Sequence, residues 1–500
     1  MTGELTRRAL LHGLGAAGGA GAMLAAMGAL GLVPGSQSHA FRAPQPGDFS
    51  LTGRSPKRVV VLGAGIAGLA TAYELRKAGY DVTILEAAKK VGGRNLTLRG
   101  GDEITEIGGV TQEAGFRDGT YFNAGPARIA QWMITMDYCR ELGVPLEIFV
   151  NSNADAYVHT GGKSVRYRTA RADTYGYLGE LLAKATNQGA LDADLTAADK
   201  TNLLDLLREF GQLGEQFTYE GGERRANTGP IPSVSEVLGY RIPQALFWDL
   251  AHDQAMPMFQ PVGGMDRIVD ALAANVGRHR IKTNTPATRI TDNGREVVVE
   301  YKNGSIKADF CVATLPPHVL ARIPGSLPPE VVQSLGSGFN FSGSKLGLEY
   351  GRRWWELDED IYGGTTETDL DIRTIWYPSH GFHERRGLLV GYYHLLDQAD
   401  SYDALAPAAR LERALKEGEK VHGPRYRKDL LSSISMSWRK RPHIEGMFTA
   451  GLQGGLLEQA HGRVYLAGDW LTDLVAWQAG AFESARKAVL LIHERALKEN

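Results

Sequence analysis

Cysteine is scarce in this chain of 500 residues, and neither sign of charge is in excess. Two cysteines, Cys139 and Cys311, are too few for a disulfide framework or for a multi-cysteine metal site. The 55 basic and 57 acidic residues give a formal charge of −2, which removes the electrostatic reason to expect a nucleic-acid partner. Neither a His-Glu-x-x-His metal motif nor a Gly-x-Ser-x-Gly nucleophile motif occurs, so no metal site is predicted. The hydrophobic fraction of 43% is that of a globular protein with enough apolar residues for a core.

The first 40 residues lack a strongly apolar run but have the order of an export signal. The pair Arg7-Arg8 precedes an uncharged stretch of 21 residues, 13–33, of which seven are glycine, so the stretch is weakly apolar for a membrane span. Ser38-His39-Ala40 then supplies small residues at a cleavage position. This order resembles a twin-arginine export signal that is cut after Ala40, and a membrane anchor is the alternative. We expect an exported protein, periplasmic or secreted, whose mature chain has no stable membrane insertion.

A glycine-rich turn lies between two predicted strands near residue 63. The apolar run Arg58–Leu62 predicts a buried parallel strand, and residues 63–68, Gly-Ala-Gly-Ile-Ala-Gly, follow it directly. Helical spacing continues to Gly79, and Asp81–Leu85 predicts the second strand. This strand ends on Glu86, 18 residues past Gly68. The order of strand, glycine turn, helix, strand and acid predicts a dinucleotide site.

Each part of this pattern has a physical role in binding a dinucleotide. Gly63 permits the tight turn, Gly65 lets the backbone approach a pyrophosphate, and Gly68 lets the helix pack closely on the strand. The first turn of the helix offers free N–H groups and a positive dipole end to the phosphates. Glu86 can accept hydrogen bonds from ribose hydroxyls.

The rest of the chain contains a helical region, a hairpin and a last strand–helix unit. Helices are predicted over residues 176–186, 196–212 and 233–238. A valine-rich strand, Glu296–Tyr301, turns at Asn303-Gly304 and returns over Ile306–Thr314. A strand before Gly468-Asp469 leads to a final helix over about 480–497.

Several motifs make the chain similar to flavin monoamine oxidases, and more narrowly to L-amino acid oxidases. Besides the fingerprint, they are Val91-Gly92-Gly93-Arg94, residues 123–129, Ser342-Gly343-Ser344-Lys345, Trp376-Tyr377-Pro378-Ser379, Gly468-Asp469 and Ala476-Trp477-Gln478. The resemblance covers most of the chain after residue 40. It implies a mixed α/β fold: a Rossmann-like FAD-binding domain of discontinuous segments, an interleaved mixed-sheet substrate domain and a helical insertion. After the signal at 1–40, the implied FAD-binding segments are 52–100, 256–339 and 456–500, the substrate-binding segments are 101–165 and 340–455, and the helical region is 166–255.

The resemblance implies FAD as the cofactor. Gly93 and Arg94 pass its pyrophosphate and ribityl chain, Asp469 binds the ribityl chain, and Ala287 passes the adenine side. The last helix directs its positive end at the flavin. No cysteine lies near the C-terminus to form a covalent link, so binding is expected to be non-covalent. The implied contacts are Gly63, Gly65, Ile66, Ala67, Gly68, Glu86, Gly93, Arg94, Pro126, Ala127, Arg128, Ala287, Gly468, Asp469, Trp477, Gln478 and Ala479.

The same resemblance assigns the substrate-binding residues. Arg128 grips the substrate carboxylate, which a planar guanidinium can do with two hydrogen bonds, and an internal salt bridge is the alternative. The Tyr377 hydroxyl shares the carboxylate, Trp477 and Phe448 flank the substrate, and the Ala476 carbonyl accepts a hydrogen bond from the amine. For the three aromatic residues, ordinary core packing is the alternative. Lys345 is the predicted catalytic residue and holds a water near flavin N5, unless it is a surface lysine on a strand.

These assignments predict oxidative deamination of an L-α-amino acid. The α-hydrogen passes to the flavin, the imino acid hydrolyses to a 2-oxo acid and ammonia, and dioxygen reoxidises the flavin to give hydrogen peroxide. The alternatives are an amino acid 2-monooxygenase, a carboxylate-free monoamine oxidase and a catalytically silent flavoprotein. The expected partners are the amino acid and dioxygen, and a homodimer is expected from the resemblance.

The export prediction can be tested directly. Replacing Arg7 and Arg8 with lysine should leave active protein in the cytoplasm of a bacterial host with a working twin-arginine system, because the signal depends on the arginine pair. Activity in cytoplasmic and exported fractions gives the measurement. Unchanged export of the double variant would show that another route carries the protein.

Overall fold

A computed structural model describes residues 49–240, 253–254, 257–452 and 454–499. The predicted export signal lies outside these residues and stays a prediction, as does the homodimer.

Strands and helices are numbered in chain order. The strands are β1 Arg58–Leu62, β2 Asp81–Leu85, β3 Thr97–Leu98, β4 Glu103–Thr105, β5 Thr111–Glu113, β6 Phe122–Asn123, β7 Ile129–Ala130, β8 Leu146–Val150, β9 Tyr157–Thr160, β10 Lys163–Arg166, β11 Pro257–Pro261, β12 Ile281–Lys282, β13 Ala287–Asp292, β14 Val297–Tyr301, β15 Gly304–Ala308, β16 Phe310–Ala313, β17 Phe339–Phe341, β18 Gly343–Tyr350, β19 Thr365–Thr368, β20 Thr374–Trp376, β21 Gly387–Leu395, β22 Leu430–Ser437, β23 Phe448–Ala450 and β24 Val464–Leu466. The α-helices are α1 Ile66–Lys77, α2 Ile134–Glu141, α3 Tyr167–Asn187, α4 Ala197–Gly211, α5 Val234–Leu238, α6 Asp266–Val276, α7 Pro317–Leu320, α8 Pro329–Ser337, α9 Trp354–Leu357, α10 Asp397–Asp403, α11 Pro407–His422, α12 Gly454–Leu457 and α13 Gln478–Lys498.

A five-stranded parallel sheet, ordered β12–β2–β1–β16–β24, forms the nucleotide-binding half. Its strands come from widely separated parts of the chain. Val59 and Val61 of β1 face a core with α1, α6 and α13, whereas Val60 and Leu62 face a second core with the β13–β14–β15 sheet. Because both faces are covered, β1 is an almost continuous apolar run, as the sequence predicts.

A seven-stranded mixed sheet, ordered β10–β9–β19–β20–β21–β18–β22, forms the other half. All of its neighbouring strands are antiparallel except β9 and β19. Every residue of β18 is buried. Leu346, Leu348 and Tyr350 of this strand pack into a core with Ala414 and Leu415 of α11. Alternation along β18 therefore turns Lys345 towards the opposite, nucleotide-facing side.

The predicted helices of the insertion are present with modest changes of boundary. Thr196 and Ser233 form capping boxes with Asp199 and Glu236, which explains why α4 and α5 begin directly after them. Helix α3 begins nine residues before its predicted start, because Tyr167 and Ala170 are buried in a small core with Val158 and Val237.

The predicted return strand over Ile306–Thr314 is wrong as a single element. The chain divides at Asp309 into β15, which completes the hairpin, and β16, which joins the parallel sheet beside β1. The Asp309 carboxylate accepts a hydrogen bond from the Arg58 backbone N–H at 2.7 Å, which ties this division to the first residue of β1. Propensity could not reveal the break, since residues on both sides of it favour strands.

None of the helices in the described ranges has the length and apolarity needed to span a bilayer. Within the same ranges, His, Cys, Asp and Glu side chains form no group of three or more suited to holding a metal ion.

Candidate functional site

The glycine turn lies at the carboxyl end of β1, where α1 begins. Gly63 has a φ of 100°, a conformation that favours glycine. A Cβ on Gly68 would lie 2.0 Å from the Gly63 carbonyl oxygen, so this glycine permits the close contact of helix and turn. By contrast, among the described residues a Cβ on Gly65 would meet only Gly92 O, at 4.0 Å. Gly65 caps α1 without a side-chain hydrogen bond, so the backbone is open to a ligand at the helix end.

Glu86 lies beside this turn at the end of β2. Its carboxylate is 7% exposed and accepts hydrogen bonds from the backbone N–H groups of Ala64 at 2.6 Å and Ala88 at 2.8 Å. Burial raises the pKa of Glu86, and the two N–H groups oppose that shift. The backbone at Thr285 donates to the Glu86 carbonyl at 2.8 Å, which brings the segment leading to Ala287 to the same end of the sheet.

Arg94 and Asp469 join the first and last parts of the chain. Arg94 forms a two-pronged ion pair with Asp469, with Nη1 donating to Oδ2 at 3.1 Å, and it also donates to the Met447 carbonyl at 3.0 Å. Asp469 further accepts from the backbone N–H of Ala476 at 3.0 Å. A buried carboxylate with these partners fixes the loop that precedes α13.

The remaining predicted cofactor residues are grouped around this ion pair. Gly93 has a φ of 57° and lies against Gly65. The Gln478 side chain donates to Asn95 Oδ1 at 2.9 Å, and Ala479 is buried. Gly468 donates its N–H to Ser484 Oγ at 2.9 Å. Pro126 and Ala127 follow Gly125, where a Cβ would lie 1.9 Å from Arg94 O.

Arg128 lies among three aromatic rings. Its Cζ is 4.8 Å from the ring centroid of Trp376, 5.8 Å from that of Trp477 and 5.9 Å from that of Phe149. Its Nε donates to Gln254 Oε1 at 3.3 Å. Burial lowers the pKa of Arg128, and nearby acidic groups oppose that shift.

Lys345 is buried beside Arg128, which excludes the surface alternative. The Nζ donates to the Gly125 carbonyl at 2.5 Å and lies 4.6 Å from the ring centroid of Tyr393 and 5.6 Å from that of Trp376. Burial, reinforced by the Arg128 charge, lowers the pKa of Lys345 to about 7. The amine can therefore hold or release a proton near neutral pH.

Tyr377 is not brought to Arg128, which corrects its predicted role. Its hydroxyl is within hydrogen-bond distance of Thr366 Oγ1, at 2.8 Å, and of His422 Nε2, at 2.7 Å. Side chains alternate along a strand, so Trp376 faces Arg128 and Tyr377 faces the core on the other side of the sheet. The sequence motif locates the correct strand, but the neighbouring residue faces the site.

Tyr393 was missed by the sequence analysis. It pairs with Lys345 across β18 and β21, and its ring centroid lies 5.5 Å from that of Trp376. Burial raises the pKa of Tyr393 to about 12, although the Arg128 charge lowers it. The hydroxyl has one hydrogen-bond partner in the described part of the chain, the weak acceptor Met447 Sδ at 4.0 Å. Only the pairing register of β18 and β21 could have identified it.

Phe448 and Trp477 have different surroundings. Phe448 stacks on Phe341 at a centroid distance of 4.4 Å, in a core cluster separate from the rings around Arg128. Trp477 caps α13 and lies at Arg128, and its Nε1 donates to Asp253 at 3.1 Å; its predicted place beside the substrate stays a prediction. The structure therefore brings Trp477, Arg128 and Lys345 together and leaves Phe448 with the adjacent cluster.

Comparison with known proteins identifies the class of this site. The family model described as flavin containing amine oxidoreductase matches residues 66–493. This chain is a flavin containing amine oxidoreductase. A model described as pyridine nucleotide-disulphide oxidoreductase also matches residues 16–107, which include the glycine turn. The protein is therefore an oxidoreductase that uses a flavin, and the open backbone at Gly65 with Glu86 nearby fits the dinucleotide part of such a cofactor.

Named relatives of this flavin amine oxidoreductase agree with that class. The putative L-amino-acid oxidase YobN of Bacillus subtilis (strain 168) is 27% identical over 463 residues, 86% of this chain and 93% of the relative. The L-amino-acid oxidase of Pseudechis australis is 25% identical over 465 residues, 87% of this chain and 86% of the relative. Cyclohexylamine oxidase from Brevibacterium oxydans IH-35A has the same fold, with a TM-score of 0.61, 18% identity, and coverage of 88% of this chain and 99% of that one.

Two glycine variants should separate cofactor binding from folding. Gly65→Ala adds a methyl group to open space, so the protein should fold with a near-normal melting temperature but lose bound flavin. Gly68→Ala places the same methyl group 2.0 Å from Gly63 O, so folding itself should suffer. Flavin absorbance per protein and circular dichroism melts measure the two effects. Full flavin content in Gly65→Ala would contradict the assigned pyrophosphate position.

Proposed function

We propose that the protein catalyses FAD-dependent oxidative deamination of L-α-amino acids to 2-oxo acids, with release of ammonia and hydrogen peroxide. The observation that carries this proposal is Arg128, a guanidinium held among three aromatic rings beside Lys345. A fixed guanidinium in a desolvated site favours a substrate carboxylate. The L-amino-acid oxidases among the relatives support the same substrate class.

The residues of this chain would orient the substrate in three ways. Arg128 binds the carboxylate, and the Tyr393 hydroxyl supplies a further donor, in the role predicted for Tyr377. The Ala476 carbonyl accepts a hydrogen bond from the amine, and Trp477 limits the position of the substrate beside the cofactor. Lys345 holds a water or a proton near the reacting atoms.

The resident cofactor of this proposal is FAD, bound without a covalent link. FAD supplies a two-electron acceptor that takes the α-hydrogen and is reoxidised by dioxygen. Gly65, Glu86, Arg94 and Asp469 would hold it. Neither cysteine favours a covalent link, because Cys139 and Cys311 are buried in α2 and β16. Acid precipitation of the protein should release the flavin into solution.

The proposed reaction is tested by product analysis. Purified protein is incubated with each of the twenty L-amino acids, and peroxide, ammonia and 2-oxo acid are measured. Equal amounts of the three products support oxidative deamination. The 2-oxo acid is quantified in a separate sample that contains catalase, so that the peroxide does not consume it. An amide product would identify a 2-monooxygenase, and oxidation of amines alone would identify a carboxylate-free amine oxidase.

Arg128→Ala should lower kcat/KM by roughly 30- to 3000-fold for the best L-amino acid. Losing one partner of a desolvated charge pair costs about 2–5 kcal/mol, and each 1.4 kcal/mol is a factor of about ten. Arg128→Lys should recover only part of the loss, since an ammonium lacks the planar fork of donors. Steady-state kinetics on flavin-loaded protein provide the measurement. Near-normal kcat/KM in Arg128→Ala would overturn the carboxylate assignment.

Removing the hydroxyl from each of two tyrosines should give opposite results. Tyr393→Phe should lower kcat/KM by about 5- to 30-fold, because it removes one neutral donor, worth about 1–2 kcal/mol. Tyr377→Phe should leave kcat/KM within about twofold but lower the free energy of unfolding by about 1–2 kcal/mol, since Thr366 and His422 lose a buried partner. Kinetics and urea unfolding of both variants measure this difference. A larger kinetic effect at Tyr377 would restore its predicted role.

A further inference from the structure

Glu367 lies on the face of the mixed sheet that borders Arg128. In the register of β19 and β20, Glu367 is opposite Thr374 and Thr365 is opposite Trp376. Trp376 donates its Nε1 to Thr374 Oγ1 at 2.9 Å, so both residues of β20 lie on one face. Because side chains alternate along a strand, Glu367 shares this face with Trp376.

Glu367 is a buried carboxylate with little compensation for its charge. Its residue is 8% exposed, and within the described ranges its one hydrogen bond comes from Thr365 Oγ1 at 3.4 Å. Burial raises the pKa of Glu367 to about 7, while the charges of Arg373 and Arg128 lower it. An ionised carboxylate in such a place is costly unless a cation comes to it.

Asp253 supplies a second carboxylate near Arg128. It is 8% exposed, and among the described residues its hydrogen bond comes from Trp477 Nε1 at 3.1 Å. The charges of Asp253 and Glu367 both raise the pKa of Arg128 against the effect of its burial. Asp253 is hydrogen-bonded to Trp477, and Glu367 shares the sheet face of Trp376, so each acid lies beside one of the rings that contact the guanidinium.

The walls between these charges are aromatic. Phe149, Trp376 and Trp477 surround the Arg128 guanidinium. Aromatic faces attract cations as well as apolar groups, most strongly when water is excluded. The guanidinium can bind an anionic end of a ligand, and the two carboxylates can bind a cationic end. The site therefore complements a ligand that carries one charge of each sign.

We propose that the substrate is an L-α-amino acid whose side chain ends in a guanidinium or an ammonium, with Glu367 as its principal counter-charge and Asp253 as the second. This inference rests on the proposed function, because Arg128 must hold the α-carboxylate. A side chain without a charge would bring no cation to either carboxylate, so the site discriminates against it.

Pairs of substrates of nearly equal shape test the inference. L-arginine is compared with L-citrulline, which has a neutral urea group in place of the guanidinium, and L-lysine with L-norleucine, which lacks the terminal ammonium and is one atom shorter. The wild-type holoenzyme should have a kcat/KM about 10- to 100-fold higher for the cationic member, the range expected of a hydrogen-bonded buried charge. Equal values within each pair would overturn the inference.

Glu367→Gln should remove most of this preference. The ratio of kcat/KM for L-arginine over L-citrulline should fall about tenfold or more, because the loss of the carboxylate charge weakens the binding of L-arginine far more than that of L-citrulline. The matched control is Asp369→Asn, which is on the same segment but exposed. Its amide oxygen can still accept from the Gly161 N–H, so its arginine-to-citrulline ratio should equal that of wild type.

If Glu367→Gln fails to fold, Asp253→Asn replaces it, because the asparagine amide oxygen still accepts from Trp477 Nε1. An equal loss for both substrates in either variant would show a structural role and overturn the inference.

The same ratio should depend on pH in wild type only. Ionised Glu367 attracts the side-chain cation, so the arginine-to-citrulline ratio should rise as pH increases through about 7. The α-amine titrates in both substrates and cancels in the ratio, whereas Arg128 and Arg373, the cations that act on Glu367, stay charged. Lys345 has a pKa of about 7 as well, but it is retained in Glu367→Gln, so a rise that came from Lys345 would persist in that variant. Glu367→Gln should give a flat ratio, and a rise that persists in Glu367→Gln would exclude Glu367 as its source.

Cadaverine, which is lysine without its carboxylate, distinguishes the two levels of the proposal. Oxidation of neutral L-amino acids without a cationic preference would remove this inference and leave the proposed function intact. Oxidation of cadaverine with no L-amino acid oxidised would remove the proposed function itself. Lysine oxidised far better than both cadaverine and norleucine supports both.

Discussion

The site depends on two cations, a partly buried Arg128 and a fully buried Lys345, that lie beside the same ring of Trp376. Like charges so close in a desolvated site cannot both stay fully protonated at low cost. Arginine keeps its proton because its intrinsic basicity is much higher, whereas burial, reinforced by the Arg128 charge, lowers the pKa of Lys345 to about 7. The charge of the site follows from this asymmetry, because one group is a permanent cation while the other can exchange a proton.

The neighbouring carboxylates complete this charge arrangement. Glu367 and Asp253 lie near the permanent cation, Arg128. Charges of both signs therefore lie near one group of aromatic rings. Such an arrangement selects a ligand by the separation of its charges as much as by its volume.

Sequence reasoning succeeded where the determining contacts are local. The strands β1 and β2 and the glycine turn depend on neighbouring residues, and each of them was predicted. It failed at Tyr377, because a one-residue change of strand face brings the neighbouring Trp376 to the site instead. It missed Tyr393, because the pairing of β18 with β21 places this residue opposite Lys345. Glu367 and Asp253 had no sequence signal at all, since acids on a strand or in a loop are ordinarily exposed. The division at Asp309 was equally hidden, because it depends on β1, some 250 residues earlier.

Ala476 gives the last loop an unusual backbone. Its φ of 69° is in the left-handed region, which costs a residue with a Cβ roughly 1–2 kcal/mol compared with glycine. Its N–H is held by Asp469, which is in turn held by Arg94, so the turn is fixed from one side before Trp477 begins the last helix. Glycine at this position would relax the strain but would let the peptide rotate. Alanine therefore lowers the conformational stability of the loop, but it restricts the direction of the Ala476 carbonyl.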